Sequence, residues 1–267
     1  MTSILKSDSL NQQLLTKGYV SFPFLSPAET NALADLFGKY SNMDSAQKGL
    51  YSNLYALGNE VNWSVSQELE NICGNAFSQH FYNASLNGGV FIAKGANPDS
   101  SCYLHQDPSC TYEQQYATYA LWIPLVDIDE TTGLFYTVEG SHQMRQHVRC
   151  FNNPSKGFDI NTINSNKLHS IKMKAGEALV FDHALVHGSA ANLSGKVRIA
   201  AVLGIMPEGT PYTFFWKTGA GQFAAYRMDK EYFIKNQIPT LQKGEVPADR
   251  LKETISAPEN ADLTILA

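Results

Sequence analysis

Two histidines, a carboxylate and an arginine stand at spacings that could hold a metal ion and an organic anion together. In His105-Gln106-Asp107 the first and third residues share a face if the segment is extended, so both could grip one ion while Gln106 points away. Further on, Phe181 to Arg198 reads F-D-H-A-L-V-H-G-S-A-A-N-L-S-G-K-V-R. It carries His183 and His187, and Arg198 opens the apolar run Ile199 to Ile205. Two histidines and one carboxylate make the facial triad of non-haem iron(II) oxygenases, with the opposite metal face open to a co-substrate and dioxygen. An H-x-D pair is common by chance; a downstream His followed by an Arg adds weight. The eleven residues from His187 to Arg198 fit a strand-turn-strand hairpin that sets a guanidinium beside the metal, ready to pair bidentately with a carboxylate. An arginine opening an apolar strand needs such a buried anion. His183 lies fifteen residues from Arg198 with no Gly-Ser after it, so it is expected to support the site rather than ligate.

The elements that must position these residues can be followed along the chain. Leu10, Leu14 and Leu15 mark a short helix closed by Gly18, and Tyr19 to Phe24 alternates like a strand. Ser26-Pro27-Ala28-Glu29 predicts a helix start with a capping box, followed by the buried stripe Leu33, Leu36, Phe37 and Tyr40. Ser41 to Asn62 is polar and Asn-rich and is expected to be a solvated loop. A second helix repeats Leu69, Ile72, Cys73, Ala76, Phe77, His80 and Phe81, with His80 packed in the core.

From Gly88 on, strands are expected at Val90–Ala93, Cys102–Leu104, Tyr116–Val126, Leu134–Val138, His169–Met173, Ala178–Phe181 and Val197–Ile205. Helices first and then many short strands predict a mainly β protein: a jelly-roll, the cupin-like double-stranded β-helix, braced by N-terminal helices. One domain over 1–267 is expected, with helical support over 1–87, the core over 88–206 and a pocket wall and tail over 207–267. Ser141 to Lys167, with Arg145, His147, Arg149 and Lys156, could lie over the barrel mouth. Asp229 to Ala267 is expected to hold a short helical stretch and a loose tail.

The composition is ordinary for a globular chain, with 43% hydrophobic and 17% charged residues and a formal charge of −5, which gives nucleic acid no basic surface. No apolar run reaches membrane length and the first residues lack a signal-peptide core, so a cytoplasmic protein is expected. Its four cysteines show no zinc-type pairing and are expected as free thiols.

Four segments resemble the phytanoyl-CoA dioxygenase family of Fe(II)- and 2-oxoglutarate-dependent oxygenases. They are G-Y-V-S-F with L-S-P-A-E, H-Q-D-P at His105 to Pro108, T-T-G-L-F-Y-T-V-E-G-S-H at Thr131 to His142, and A-G-E-A-L-V-F-D-H-A-L-V-H-G-S-A-A-N-L-S-G-K-V-R at Ala175 to Arg198. Glu139 replaces the family's usual proline in the third. The resemblance implies that His105, Asp107 and His187 bind iron and that Arg198, supported by Ser189, holds the distal carboxylate of 2-oxoglutarate. It also implies that Trp122, Thr118 and Gln106 lie near the co-substrate, and that His142 is structural.

The implied reaction consumes dioxygen and 2-oxoglutarate, releases succinate and CO2, and hydroxylates an unactivated C–H bond. Asp107 argues for hydroxylation, since related halogenases lack that carboxylate. The expected substrate is a small polar metabolite, either a free amino acid or a natural-product intermediate such as an alkaloid. Arg145, His147, Arg149 and Lys156 would meet its anionic group, and Trp216 in the aromatic stretch Pro211 to Met228 would meet a flat portion. Two other classes remain open: a non-oxidative metal-binding barrel that senses or binds, and an oxygenase acting on a protein side chain.

Overall fold

The computed structural model describes residues 3–41, 43–153, 157–236, 248–258 and 263–266. Helix α1 (Asp8–Lys17) starts where the Ser7 hydroxyl accepts from the Leu10 amide and ends at Gly18, left-handed with φ 87°. Strand β1 (Tyr19–Pro23) leads to α2 (Pro27–Tyr40), where Ser26 and Glu29 form the reciprocal capping box behind Pro27.

The 41–62 segment departs from the expected loop. It folds as α3 (Met43–Ala46), β2 (Leu50–Ser52) and α4 (Asn53–Ala56), and then enters α5 (Asn59–His80). Its asparagines work inside the protein. Asn53 donates to Asn62 Oδ1 at 2.7 Å and accepts from the Phe91 amide at 2.6 Å, while Asn62 donates to Leu54 O and Leu57 O. Buried amides that saturate backbone groups in this way look like loop composition in a sequence. His80 packs against Phe22 and Phe24, as its place on the apolar stripe predicts.

The remaining core strands are β3 (Ala84–Lys94), β4 (Cys102–His105), β5 (Tyr119–Pro124), β6 (Phe135–Val138), β7 (Leu168–Ile171), β8 (Glu177–Asp182), β9 (His187–Ser189) and β10 (Arg198–Pro207). They form a six-stranded sheet in the order β1-β8-β5-β10-β3-β2 and a four-stranded sheet in the order β4-β9-β6-β7. This is the jelly-roll, with helices on the outer face of the larger sheet. The strands of that sheet alternate between two cores. Tyr119, Leu121 and Ile123 of β5, with Ala178 and Val180 of β8, pack under the helices beside Leu69 and Cys73. Ala120, Trp122, Leu179 and Phe181 face the barrel interior and meet Phe135 of the smaller sheet. Burial on both faces is why these strands read as continuous apolar runs.

The stretch from Phe181 to Arg198 is not the simple hairpin expected. After β8 the chain turns at Asp182, where the Leu185 amide donates to Asp182 O, and crosses to the smaller sheet as β9. It then returns to the larger sheet as β10, which pairs with β5 and β3 rather than with β8. His187 and Arg198 therefore stand on opposite sheets and approach from two sides.

Beyond the core, β11 (Thr213–Gly219), β12 (Gln222–Arg227) and β13 (Leu251–Ser256) form a three-stranded antiparallel sheet, with α6 (Lys230–Lys235) between β12 and β13. The helical stretch after Asp229 is present; β13 is a strand where only a tail was expected, and residues 237–247, 259–262 and 267 of that tail lie outside the described residues. None of the four cysteines is in a disulfide. Among the described residues, no helix is long and apolar enough to cross a membrane.

Candidate active site

His105 and His187 are register partners on the antiparallel pair β4 and β9, so their side chains rise from one face, with ring centroids 4.4 Å apart. Asp107 lies beyond the end of β4 rather than on the strand. Its amide donates to His183 O at 3.1 Å, and its carbonyl accepts from Arg149 Nε at 2.6 Å. These bonds bring its carboxylate to 3.7 Å from His105 Nε2 and 3.9 Å from His187 Nε2. One ligand atom from each of the three residues lies within 4.8 Å of the others.

The outer nitrogens of both rings are engaged. His105 Nδ1 is 2.9 Å from Tyr103 O and His187 Nδ1 is 3.0 Å from Leu185 O. A carbonyl can only accept, so Nδ1 carries a proton and Nε2 is the nitrogen left to face a metal. The His187 ring stacks on Phe135 at 5.5 Å and 1° and meets Phe181 at 4.6 Å, so the apolar core between the sheets holds it in place. Burial lowers the His187 pKa to about 4, which keeps the imidazole neutral. Burial also opposes the charge on Asp107, but His187, His105 and His183 outweigh it and hold the carboxyl well below its usual range. Burial likewise opposes protonation of His105, yet its contacts with Asp107 and Cys102 raise it to about 11, so a metal binding there must displace a proton.

Across the cavity stand two cations. Arg198 of β10 and Lys94 of β3 are direct register partners and only 3% and 2% exposed. Arg198 donates to Gly133 O at 2.6 Å and lies 5.2 Å from the Trp122 ring centre, while its Nε has no partner. Lys94 Nζ donates to Ala190 O at 2.7 Å and Ser189 O at 3.2 Å. Gly133 makes this arrangement possible. It sits at φ +90°, and a Cβ there would lie 2.5 Å from Ala190 O, the carbonyl that holds Lys94. Like charges directly opposite on paired strands repel. Burial, and then repulsion from Arg198, lowers Lys94 to about 7; burial lowers Arg198 to about 10. Among the described residues lining the cavity, no carboxylate is placed to pair with them.

These groups line one cavity of about 460 Å³. Ser189, Trp122 and Thr118 line it too, with the Trp122 Nε1 donor unpartnered. Thr118 Oγ1 is 2.8 Å from His183 Nδ1, and the His183 carbonyl holds the Asp107 amide, so His183 supports the triad as expected. Other expected contacts lie elsewhere. Gln106 points away from the cavity and donates to Ala184 O. Arg145 is buried against Asp182, and Arg149 pairs with Glu113 at 2.6 Å, so neither guanidinium reaches the cavity. His147 is buried beside that second pair, where burial lowers its pKa to about 4. Trp216 packs with Phe214 and Met228 on the three-stranded sheet. Lys156 lies outside the described residues. The 141–167 segment reaches the cavity through Phe151, while Met144, Phe158 and Ile163 pack onto Leu104 and Val138. His142 is structural: its Nε2 lies 3.1 Å from Leu15 O.

Several lining residues were not foreseen. Lys94 ends the run Val90–Ala93 just as Arg198 opens the run after it, and the same signal, a lone cation on an apolar strand, marks both. Leu50, Leu54 and Tyr55 come from the supposed loop, whereas Tyr212, Phe233 and Ile234 come from 207–267, the stretch expected to supply a pocket wall. Only their side chains facing inward distinguish them, and no short-range pattern shows that.

A jelly-roll with two imidazoles and a carboxylate facing a buried cation pair defines a class: a metal-binding barrel that accepts an organic anion. Within that class the chain belongs to the phytanoyl-CoA dioxygenase family, whose model, Phytanoyl-CoA dioxygenase (PhyH), matches residues 17–200. A phytanoyl-CoA dioxygenase of Arabidopsis thaliana is 32% identical over 125 residues, 44% of this chain and 42% of that protein. The phytanoyl-CoA dioxygenase domain-containing protein 1 homolog of Dictyostelium discoideum is 24% identical over 149 residues, 53% of this chain and 52% of that one. The chain spans about half the length of the curated relatives it matches. Among solved structures, HygX from Streptomyces hygroscopicus with nickel and 2-oxoglutarate bound is similar at TM-score 0.52 and 17% identity, covering 75% of this chain and 87% of that one. EvdO2 from Micromonospora carbonacea var. aurantiaca complexed with 2-oxoglutarate is similar at TM-score 0.50 and 14% identity, covering 79% and 95%. At these identities the likeness shows a shared fold.

Proposed function

We propose that this chain is an Fe(II)- and 2-oxoglutarate-dependent dioxygenase that hydroxylates a C–H bond of a small molecule. The observation that carries this is the opposition, in one cavity, of a complete triad and a buried cation pair that lacks an anion. The residues fit both groups. Two imidazole Nε2 atoms and one carboxylate oxygen converge while each Nδ1 donates to a backbone carbonyl, which suits iron(II) and leaves its other positions open. The unpartnered Arg198 Nε, the unpartnered Trp122 Nε1 and the Lys94 amine suit a carboxylate far better than water. When bound, iron and 2-oxoglutarate supply with dioxygen the oxidising power for hydroxylation, with succinate and CO2 as co-products.

The chain's own part is placement. Arg198 and Lys94 take the distal carboxylate, and Ser189 lies beside them. Trp122, Phe135 and Phe181 keep water from the triad, so the reacting centre is dry on the barrel side. His183 and Arg149 hold the Asp107 backbone from both ends. The test is an anaerobic titration with Fe(II) and 2-oxoglutarate, reading the metal-to-ligand charge-transfer band. The band should appear in the parent, vanish in His187→Ala and weaken in Arg198→Ala. Folded, metal-loaded parent protein with no band would end the 2-oxoglutarate assignment and favour a binding barrel without turnover.

A further inference from the structure

We infer that the substrate is a neutral, hydrocarbon-rich molecule, of the terpenoid or alkylated polycyclic kind, rather than an amino acid or other charged metabolite. The inference rests on the proposed reaction site and adds the chemistry of its second occupant. Two of the expected anchors for a charged substrate are engaged elsewhere: Arg145 and Arg149 are each buried against a carboxylate and face away. Among the described residues lining the cavity, the only lysine or arginine side chains are Lys94 and Arg198, and the only carboxylate is Asp107. All three already serve the metal and the anion. A charged group on the substrate would be desolvated with nothing to pair it.

The walls agree. Val90 and Ile92 of β3 and Val202 and Met206 of β10 form one side, and Phe151 and Phe233 belong to the wall contributed from outside the core sheets. The central wall strand offers little free backbone. Strand β10 is hydrogen-bonded to β5 on one edge and β3 on the other, so its amides and carbonyls are used in the sheet. The rim is apolar as well: Leu50 and Tyr55 line the cavity and are 54% and 58% exposed. Large apolar side chains left in water at the mouth of an apolar cavity mark a route for an apolar ligand. The Tyr55 hydroxyl and the Asn87 amide, which bonds the Tyr212 side chain, leave room for one or two neutral oxygen functions. At about 460 Å³ the cavity falls within the range of sites for drug-sized molecules, with the co-substrate taking part of it.

The test is displacement of Nile red, a neutral apolar dye, from the Ni(II)-loaded protein with 2-oxoglutarate present to occupy Lys94 and Arg198. The competitors are geraniol and progesterone on one side, and lysine, glutamate and octanoyl-CoA on the other. The neutral pair should displace the dye with at least about a hundredfold advantage over the charged set. Leu50→Asp combined with Tyr55→Asp, at exposed positions that leave the core intact, should weaken the dye by about tenfold while 2-oxoglutarate affinity holds. Charged competitors that match or exceed the neutral ones, octanoyl-CoA included, would overturn the inference. So would a folded protein that binds 2-oxoglutarate but not Nile red, or rim variants with unchanged dye affinity. Nile red binding with no charge-transfer band in the separate titration would instead strike the oxygenase assignment and leave the apolar cavity standing.

Discussion

Replacing Lys94 by methionine should abolish a pH dependence of 2-oxoglutarate binding that the parent shows. Methionine keeps length and apolar contact and removes only the amine. In the ligand-free protein, burial and Arg198 lower Lys94 to about 7. At pH 8 about ten neutral amines then exist for each charged one, whereas at pH 6 the ratio is reversed. Only the charged form makes the strong bond to a carboxylate, and such a charge-assisted bond contributes about 1.5–3 kcal/mol. Binding the anion therefore raises the Lys94 pKa by about one to two units and takes up a proton. Affinity in the parent should fall about five- to tenfold between pH 6 and pH 8 and level off once pH exceeds the raised value. Lys94→Met should bind roughly tenfold to a hundredfold more weakly at pH 6, with a flat profile.

The assay is calorimetry with saturating Ni(II), run in two buffers of different ionisation heat so that proton uptake is counted directly. A flat parent profile, or a Lys94→Met protein that keeps the slope, would refute the placement of the amine against the anion. The same amine has a mirror effect on the empty protein. Its folded pKa lies below the unfolded value of 10.5, so its contribution to stability is present above 10.5 and is lost as pH falls through about 7. The ligand-free parent should gain stability on this account from pH 7 upward, and Lys94→Met should not.

Other substitutions test neighbouring links. Arg149→Lys keeps a charge for Glu113 but loses the Nε donor to Asp107 O, so Co(II) affinity should fall about tenfold or more with the fold retained; unchanged affinity would release Asp107 from this support. Gly133→Ala places a Cβ 2.5 Å from Ala190 O at positive φ. It should cost more than about 1 kcal/mol in denaturant unfolding and also weaken 2-oxoglutarate, because the same carbonyl holds Lys94. Ser26→Ala removes a helix cap remote from the cavity and should cost about 1 kcal/mol with no change in 2-oxoglutarate affinity. A Ser26→Ala protein with altered co-substrate binding would mean that α2 is coupled to the site.

The triad and Arg198 were legible because their residue types are costly to bury without a purpose, and their order along the chain matches a known family pattern. The jelly-roll was legible from short apolar runs punctuated by turns. Pairing across sheets was not, since periodicity describes one strand at a time and says nothing of its neighbour: β8, β9 and β10 look like consecutive hairpin strands and yet alternate between two sheets. Arg145 and Arg149 misled for a related reason. A basic side chain in a long polar segment is normally solvated, and only the fold brings Asp182 and Glu113 to meet them. The asparagines at 53 and 62 misled in the opposite direction, since buried amides that complete backbone bonding have the composition of a surface turn.

The division between what was legible and what was not follows the division of labour in the site. Apart from Asp107, the proposed chemistry rests on two cross-strand pairs, His105 with His187 in one sheet and Lys94 with Arg198 in the other. Each pair is set by strand register, and burial of both Lys94 and Arg198 makes the second pair hard to shift. The distance between the pairs is set by Trp122, Phe135 and Phe181, packed between the sheets with centroids 5.3 and 5.5 Å from Phe135. One side of the substrate wall, Val90, Ile92, Val202 and Met206, shares those strands, but the rest obeys no such constraint. Leu50 and Tyr55 stand on short elements before α5, and Tyr212, Phe233 and Ile234 lie beyond residue 200, where the family match ends. In the proposed reaction rigid paired strands hold the metal and the anion, while connecting segments and the C-terminal third complete the wall that shapes what is admitted. A change of substrate within such a barrel therefore requires different walls and leaves both cross-strand pairs in place.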